Sequence, residues 1–287
     1  MRASHPVGCV KGVAVVVTDF SLGRLRGPRL HLPLMAFRPA QELVHNQLMR
    51  IPAVRAKARS SHTTGIQSDP VKGLALFKAF AEMLPAPISS SKVLELGPGR
   101  GTALMRAACE QGVAGYAAFD IEPYLSPAEI PDPSIDYRTD PSGEFPWDPA
   151  SFDVVWSHSV MEHVRSPRTL QAEVFHLLRP GGLQIADIDF VDHYQKRHDP
   201  TSMYNMLRYP ERLWNLMTSN RSSYTNRLRY TDWQRLFDEV GFETVDRYPR
   251  LEPIPPEEFR RVSYLAHLGD DDLVTHSAVF VLRRPVG

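Results

Sequence analysis

A turn with three glycines, between an apolar run and a helical pattern, constrains the fold of this chain most. Residues 93–105 read VLELGPGRGTALM, which predicts a buried strand at 92–97 and a helix from Thr102 that Gly112 ends. Glycines spaced Gly-x-Gly-x-Gly let another group approach the main chain closely. A phosphate-binding P-loop is excluded, because no Gly-Lys-Ser/Thr sequence follows. The turn therefore predicts a ligand site in an α/β fold.

Strand and helix patterns alternate along the rest of the chain. Helices are predicted after Asp69-Pro70 and Ser166-Pro167, and from Thr231, where Gln234 would complete a capping box. This alternation favours a mostly parallel sheet with helices on both faces. A polar helix is also predicted at 39–59. The further predicted strands are residues 115–121, 152–158, 183–189, 243–248 and 277–283.

Size and charge limit the possible partners. The 287 residues suffice for one large α/β domain, and 33 Lys+Arg balance 33 Asp+Glu, so no global nucleic-acid or membrane field is indicated. Residues 1–60 are the exception, with ten basic and two acidic side chains. A targeting segment, a local charged patch and a loosely ordered extension would each explain them. We adopt the third explanation and divide the chain into a partly irregular extension, 1–68, and a domain, 69–287.

The number of cysteines and the hydropathy of the chain indicate the cellular compartment in which the protein acts. Cys9 and Cys109 suggest no disulfide framework, and the apolar run at 13–17 is far too short to span a bilayer. We therefore expect a cytoplasmic protein with no membrane partner. No Cys/His cluster has zinc spacing, so no metal site is predicted.

About forty residues interrupt the alternation before Thr231. A long insertion at the carboxyl end of a strand is where α/β folds build substrate sites, so residues 190–230 are predicted to bind the substrate. The many aromatic side chains there would form a small core or a base-stacking surface. Asn226, Arg227 and Arg229 would either bind a carboxylate or sugar, or tie the insertion to the core.

Several segments together resemble the class I S-adenosylmethionine-dependent methyltransferases, over roughly residues 70–287. The resemblance implies a Rossmann-like, doubly wound α/β fold. Its seven-stranded sheet would have an antiparallel last strand and helices on both faces, and S-adenosylmethionine would be the cofactor. The matching segments are VLELGPGRG, the acid in AAFDIE, SFDVVWSHSVMEHV, LLRPGG and DWQRLFDEVGFETV.

The resemblance also implies which residues bind the cofactor. The glycines would border its methionine part, Asp120 its ribose, Ile121 and Asp140 its adenine, and Ser157 its sulfonium end. Four prolines in residues 121–134 stand where a regular helix usually follows the ribose-binding acid, so that helix is expected to be short or missing. The full predicted set is Glu95, Gly97, Gly99, Gly101, Asp120, Ile121, Asp140 and Ser157.

The chemistry then depends on the acceptor. Methyl transfer from a sulfonium is an in-line displacement with a neutral leaving group, so positioning the acceptor and removing its proton matter most. The loop after the strand at 152–158 has no cysteine nucleophile for cytosine C5. It also lacks the Asp/Asn-Pro-Pro-aromatic loop of exocyclic amine methylation. We therefore expect an oxygen of a small molecule, a sugar or secondary metabolite, rather than a nucleic acid.

A general base is expected among the histidines, which titrate near neutral pH. His193 lies just past a strand end and can face the acceptor, while His158 lies near the predicted methyl site. These two are the predicted catalytic residues, and His163 is assigned a structural role. Asp189 and Asp192 would assist His193, hold a divalent cation, or simply be solvated acids at a strand end.

Three rival functions have their own signatures. An RNA or protein methyltransferase would use the basic N-terminus as a docking arm. A methyltransferase-like binding protein would keep the cofactor site without turnover. A nicotinamide-dependent oxidoreductase is disfavoured by the glycine spacing and by the Arg-Pro-Gly-Gly turn at 179–182.

Overall fold

The computed structural model describes residues 38–60, 69–193, 206–220, 224–251 and 268–287. By its contacts the chain divides after Arg38, and residues 39–287 form one unit. Cys9, the basic residues before position 38 and the aromatic residues at 194–205 lie outside the described part.

Seven strands form a single mixed sheet. Their order is β3-β2-β1-β4-β5-β7-β6. Strands β1 to β5 run parallel, and β7 is antiparallel to both of its neighbours. This confirms the predicted seven-stranded sheet with an antiparallel last strand. The strands are β1 Lys92–Leu96, β2 Gly115–Asp120, β3 Asp136–Thr139, β4 Phe152–His158, β5 Leu178–Asp189, β6 Glu243–Leu251 and β7 Thr275–Arg283.

Eight helices accompany the sheet in the described ranges. The third begins as the sequence predicts, because the Asp69 carboxylate accepts hydrogen bonds from the N–H groups of Val71 and Lys72. The single helix predicted at 39–59 is instead two, the second starting at Pro52. None of these helices is long and apolar enough to cross a membrane. They are α1 Arg38–Leu48, α2 Pro52–Ser60, α3 Pro70–Glu82, α4 Ala103–Glu110, α5 Pro167–Leu177, α6 Glu211–Thr218, α7 Tyr230–Val240 and α8 Asp270–Val274.

Each face of the sheet carries its own apolar core. Alternate side chains of β1 divide between them, because successive residues of a strand point to opposite faces. Leu94 joins the core under α5 and α7, and Val93 joins the core under α3 and α4. Trp156 of β4 anchors the second core, with its ring centroid 5.5 Å from that of Phe77 and 5.6 Å from that of Phe80. Helices therefore cover both faces, as predicted.

The proline-rich connection from β2 to β3 contains no α-helix. It holds only a 3-10 turn, Pro127–Glu129, in which Ser126 and Glu129 form a capping box. This confirms the expectation that the usual helix is missing here. The wall of any ligand site beside β2 is consequently a loop.

Candidate active site

The strand order places a crevice at one edge of the sheet. β1 lies between β2 and β4, and the connections leave β1 and β4 toward opposite faces, since α4 packs against α3 whereas α5 packs against α7. Open α/β sheets bind ligands at such a switch point, outside the carboxyl ends of the strands. We call this side, where β1 to β5 end, the carboxyl edge. The glycine turn follows β1 at this edge.

The glycine turn is packed against the loop that follows β4. Gly97 has φ +63°, and a Cβ built on it would lie 2.7 Å from Cγ2 of Val160. Val160 follows Ser159, which itself has φ +52° and donates its N–H to the Asp187 carbonyl at 2.9 Å. Gly97 therefore permits two loops to meet, a close approach that any other residue would strain. Gly101 closes the turn with an N–H hydrogen bond to the Pro98 carbonyl, at 3.0 Å.

Asp120 connects the glycine turn to the end of β2. Its carboxylate is buried and accepts hydrogen bonds from the N–H of Gly99, at 3.0 Å, and of Glu122, at 3.2 Å. Burial raises the pKa of Asp120 to about 6, although these hydrogen bonds oppose the rise. Ile121, the next residue, is 55% exposed. An anchored carboxylate beside an exposed apolar side chain is the arrangement that the predicted ribose and adenine contacts require.

Glu95 lies beneath the turn, inside the core under α3 and α4. The Tyr116 hydroxyl donates to its Oε2 at 2.8 Å, and Trp156 Nε1 donates to the Tyr116 oxygen at 3.2 Å. Its Oε1 makes no hydrogen bond. Burial raises the pKa of Glu95 to about 8, so the group is mostly neutral at pH 7. These hydrogen bonds join Glu95 of β1 to Tyr116 of β2 and Trp156 of β4, and its predicted cofactor contact stays a prediction.

Asp140 and Ser157 lie on either side of the crevice. The Asp140 carboxylate accepts hydrogen bonds from Ser142 N–H and Oγ, which lower its pKa, and the Asp140 N–H donates to the Asp120 carbonyl at 3.1 Å. Ser157 is buried at the end of β4, and its Oγ has no hydrogen-bond partner. Their cofactor contacts stay predictions.

His158 forms a pair with a buried aspartate. Its Nδ1 lies 2.9 Å from Oδ2 of Asp187, whose Oδ1 lies 3.0 Å from Nη1 of Arg250. Burial would raise the pKa of Asp187, but hydrogen bonds from His158 and Arg250 outweigh it, and the pKa is lowered. An ionised carboxylate accepts from Nδ1–H and leaves Nε2 as the basic nitrogen. Sequence reasoning missed Asp187 and Arg250.

His193 has other neighbours. Its Nε2 lies 3.3 Å from Oδ2 of Asp189, and its ring centroid is 4.8 Å from that of His163. Glu162, beside His163, is buried, and burial raises its pKa well above the usual range, with the Asp189 charge adding to the rise. The two predicted catalytic histidines thus contact different acidic groups along the carboxyl edge.

The described part of the insertion forms a small core. The indole of Trp214 donates to the Thr225 carbonyl at 2.9 Å and stacks near Tyr209, with centroids 6.3 Å apart. Leu43 of α1 packs on the same cluster. The Asn46 side chain also joins α1 to the insertion by donating to the Leu216 carbonyl at 2.8 Å. These aromatic rings pack internally and do not form a stacking surface.

The polar residues at 226–229 attach this insertion to the sheet. Asn226 Nδ2 donates to the carbonyls of Met161 and Val164, and Arg227 Nη1 donates to the Tyr209 carbonyl at 2.6 Å. Arg229 is buried and donates to main-chain carbonyls near α8 and β5. The sequence left open whether these residues bind a carboxylate or sugar or tie the insertion to the core, and their contacts show the second role.

Comparisons with known proteins agree with this geometry. Residues 94–186 match the family model described as a methyltransferase domain. Methyltransferase str2 of Strobilurus tenacellus is 32% identical over 117 residues, which is 40% of this chain and 42% of that protein. Methyltransferase str3 of the same organism is 31% identical over 105 residues, 36% of this chain and 38% of that protein. The chain spans less than half of the length of these curated relatives.

A solved structure supports the fold. The S-adenosylmethionine-dependent methyltransferase from Mesorhizobium loti superposes with a TM-score of 0.51 and 18% identity, covering 77% of this chain and all of that one. The strand order and the switch-point crevice define a Rossmann-like methyltransferase fold. Residues 94–186 are thus similar to methyltransferase domains, in agreement with the class I S-adenosylmethionine-dependent methyltransferase family that the sequence resembles.

Proposed function

We propose that the protein transfers the methyl group of S-adenosylmethionine to an oxygen of a small molecule, such as a sugar or a secondary metabolite. The observation that carries this proposal is the His158–Asp187 pair, at the same edge of the sheet as the glycine turn and Asp120. A base held by a carboxylate is what methylation of a hydroxyl requires. His158 is the preferred base because its Nδ1 is hydrogen-bonded to Asp187, whereas His193 Nε2 lies 3.3 Å from Asp189 Oδ2 without a hydrogen bond.

The cofactor fits the residues at the carboxyl edge. A carboxylate has about four lone-pair sites, so Asp120, which accepts two N–H groups, keeps acceptor capacity for the two ribose hydroxyls. The exposed Ile121 offers an apolar surface for adenine, with Asp140 at the adenine edge. The turn at 97–101 and Ser157 would then border the methionine and sulfonium ends. When bound, S-adenosylmethionine supplies an electrophilic methyl carbon and departs as a neutral thioether.

Three residues of the chain remove the acceptor proton and stabilise the charge that this creates. His158 Nε2 takes the proton of the acceptor hydroxyl as the oxygen forms its bond to the methyl carbon and the carbon–sulfur bond breaks. Asp187 keeps the imidazole in the required tautomer and stabilises the imidazolium that forms. Arg250 keeps Asp187 ionised and oriented. Two cysteines and no transmembrane helix in the described part are compatible with action in the cytoplasm, which we include in the proposal.

Cofactor binding is tested first by calorimetry. The purified chain is titrated with S-adenosylmethionine, S-adenosylhomocysteine and NADH, and the titrations are repeated with Asp120→Ala. We expect saturable binding of the first two, no binding of NADH, and a large loss of affinity in the variant. Absence of binding by the wild-type protein would end the enzymatic interpretation.

Acceptor chemistry is tested with a radiolabelled methyl group. His158→Gln should lower turnover of a hydroxyl acceptor by about 10²–10⁴-fold while leaving cofactor affinity unchanged, because only the proton transfer is lost. His176→Gln, the same change at an exposed histidine of α5, is the matched control. Labelling confined to RNA or protein would instead favour the rival acceptor class. Removal of residues 1–37, which spares α1, would then show whether the basic segment docks that acceptor.

A further inference from the structure

Three side chains of types that commonly bind metals, one carboxylate and two imidazoles, lie close together at the carboxyl edge. Glu162 and His163 lie in the 3-10 turn Met161–His163 after β4, and His193 follows β5. One ligand atom from each lies within 4.8 Å of the other two. Residues 162 and 193 are far apart in sequence, so no spacing motif indicated this cluster. The parallel ends of β4 and β5, which are neighbours in the sheet, bring them together.

The burial of Glu162 is the strongest indication that this cluster binds a cation. The residue is only 2% exposed, and neither carboxylate oxygen makes a hydrogen bond. The N–H groups of Glu162 and Asp189 approach the carboxylate without completing hydrogen-bond geometry. Buried carboxyl groups in proteins are normally hydrogen-bonded, ion-paired or bound to a metal. The Glu162 carboxylate has no hydrogen-bond partner, and one of its oxygens lies within 4.8 Å of a nitrogen of each imidazole.

His163 has the hydrogen-bond support expected of a metal ligand. Nδ1 of His163 lies 2.7 Å from the Tyr224 carbonyl, which can only accept, so Nδ1 carries the proton and Nε2 carries the lone pair. Metal-binding histidines commonly donate their second N–H to a backbone carbonyl in this way. Nε2 of His193 is buried, 3.3 Å from Asp189 Oδ2 but without hydrogen-bond geometry.

We propose that Glu162, His163 and His193 bind a divalent transition-metal ion such as Zn²⁺. Imidazole donors favour such an ion over Mg²⁺ or Ca²⁺, which prefer sets of oxygen ligands. Two histidines and one carboxylate leave coordination positions open, as in catalytic rather than structural zinc sites. Asp189 Oδ2 lies 3.3 Å from Nε2 of His193 and adds a negative charge beside the three ligands. The metal proposal does not depend on the identity of the methyl acceptor.

The test uses the full chain after removal of metals with a chelator. Zn²⁺ is titrated calorimetrically and Co²⁺ is followed by its visible absorption, for the wild-type protein and for Glu162→Gln and His193→Gln. His176→Gln is the control, because the chain holds eleven histidines that bind metals adventitiously. We expect one ion per chain in the wild-type protein and the control. Each ligand variant should bind at least tenfold more weakly.

Loss of binding must be separated from loss of folding. Glu162→Gln removes a buried, uncompensated acid, so the metal-free variant should melt no lower than the metal-free wild-type protein. If that variant fails to fold, His193→Gln, whose side chain is partly exposed, gives the same information. The proposal is overturned if the wild-type protein binds neither ion at 100-fold molar excess. It is equally overturned if both ligand variants bind as tightly as the control.

Discussion

Replacing Glu95 by glutamine should make the protein more stable at neutral pH. Burial raises the pKa of Glu95 from 4.5 to about 8, so the folded state holds this proton far more tightly than the unfolded chain does. The stabilisation is complete below pH 4.5 and is lost as the pH rises to about 8. Glutamine imitates the protonated acid and can still accept from Tyr116. The variant should therefore escape this loss.

The size of the effect follows from the pKa difference. One pKa unit is worth about 1.4 kcal/mol. Relative to the wild-type protein, Glu95→Gln should gain less than about 1 kcal/mol at pH 5, about 3 kcal/mol at pH 7 and about 4 kcal/mol at pH 8. A constant offset from exchanging acid for amide adds equally at every pH. The informative quantity is thus the change of the difference with pH.

Urea unfolding at several pH values between 5 and 8 measures this difference directly. Glu110→Gln makes the same chemical change at an exposed position of α4 and should leave the pH dependence unaltered. If the free energies of unfolding of Glu95→Gln and the wild-type protein differed by the same amount at every pH, the carboxyl would not be neutral in the folded state. Burial would then not raise the pKa of Glu95 as proposed.

Three further predictions concern the turn, the insertion and the cofactor. Gly112 has φ +67° and open space around it, so Gly112→Ala should lower the free energy of unfolding by about 1 kcal/mol. Gly97 has a similar φ of +63°, but an added Cβ would lie 2.7 Å from Val160, so Gly97→Ala should cost at least about 1 kcal/mol more. Urea unfolding of both variants measures this difference. Arg229→Met leaves several buried carbonyls unpaired and should cost about 3 kcal/mol or more, whereas Arg235→Met, 68% exposed, should cost under about 1; equal losses would contradict the assignment. Because the pKa of Asp120 is about 6, its protonation should weaken S-adenosylmethionine binding by at most about tenfold per pH unit below 6, measured calorimetrically, and Asp120→Asn should abolish that dependence.

Local signals predicted most of the sheet. Six of the seven strands coincide with segments that the sequence predicts as strands, and the order of the strands follows the implied methyltransferase fold. β3 was missed because it is a four-residue edge strand, Asp136–Thr139, with no fully buried side chain. The cap of α7 was also mispredicted. Thr231 and Gln234 suggested a capping box, yet the helix begins at Tyr230, and the Thr231 hydroxyl donates to Asp272, which is distant in sequence.

Glycine spacing, caps and hydrophobic periodicity act between near neighbours, so the glycine turn, the alternation of strands and helices and the end of β2 could be predicted from the sequence. The sequence could not identify which candidate histidine base is hydrogen-bonded to a carboxylate. Asp187 is a polar residue in an otherwise apolar part of β5, and only the register of β4 on β5 places it beside His158. The same pairing of strand ends assembles Glu162, His163 and His193. Contacts between residues far apart in the chain exist only once the sheet has formed, so neither arrangement could be predicted from the sequence.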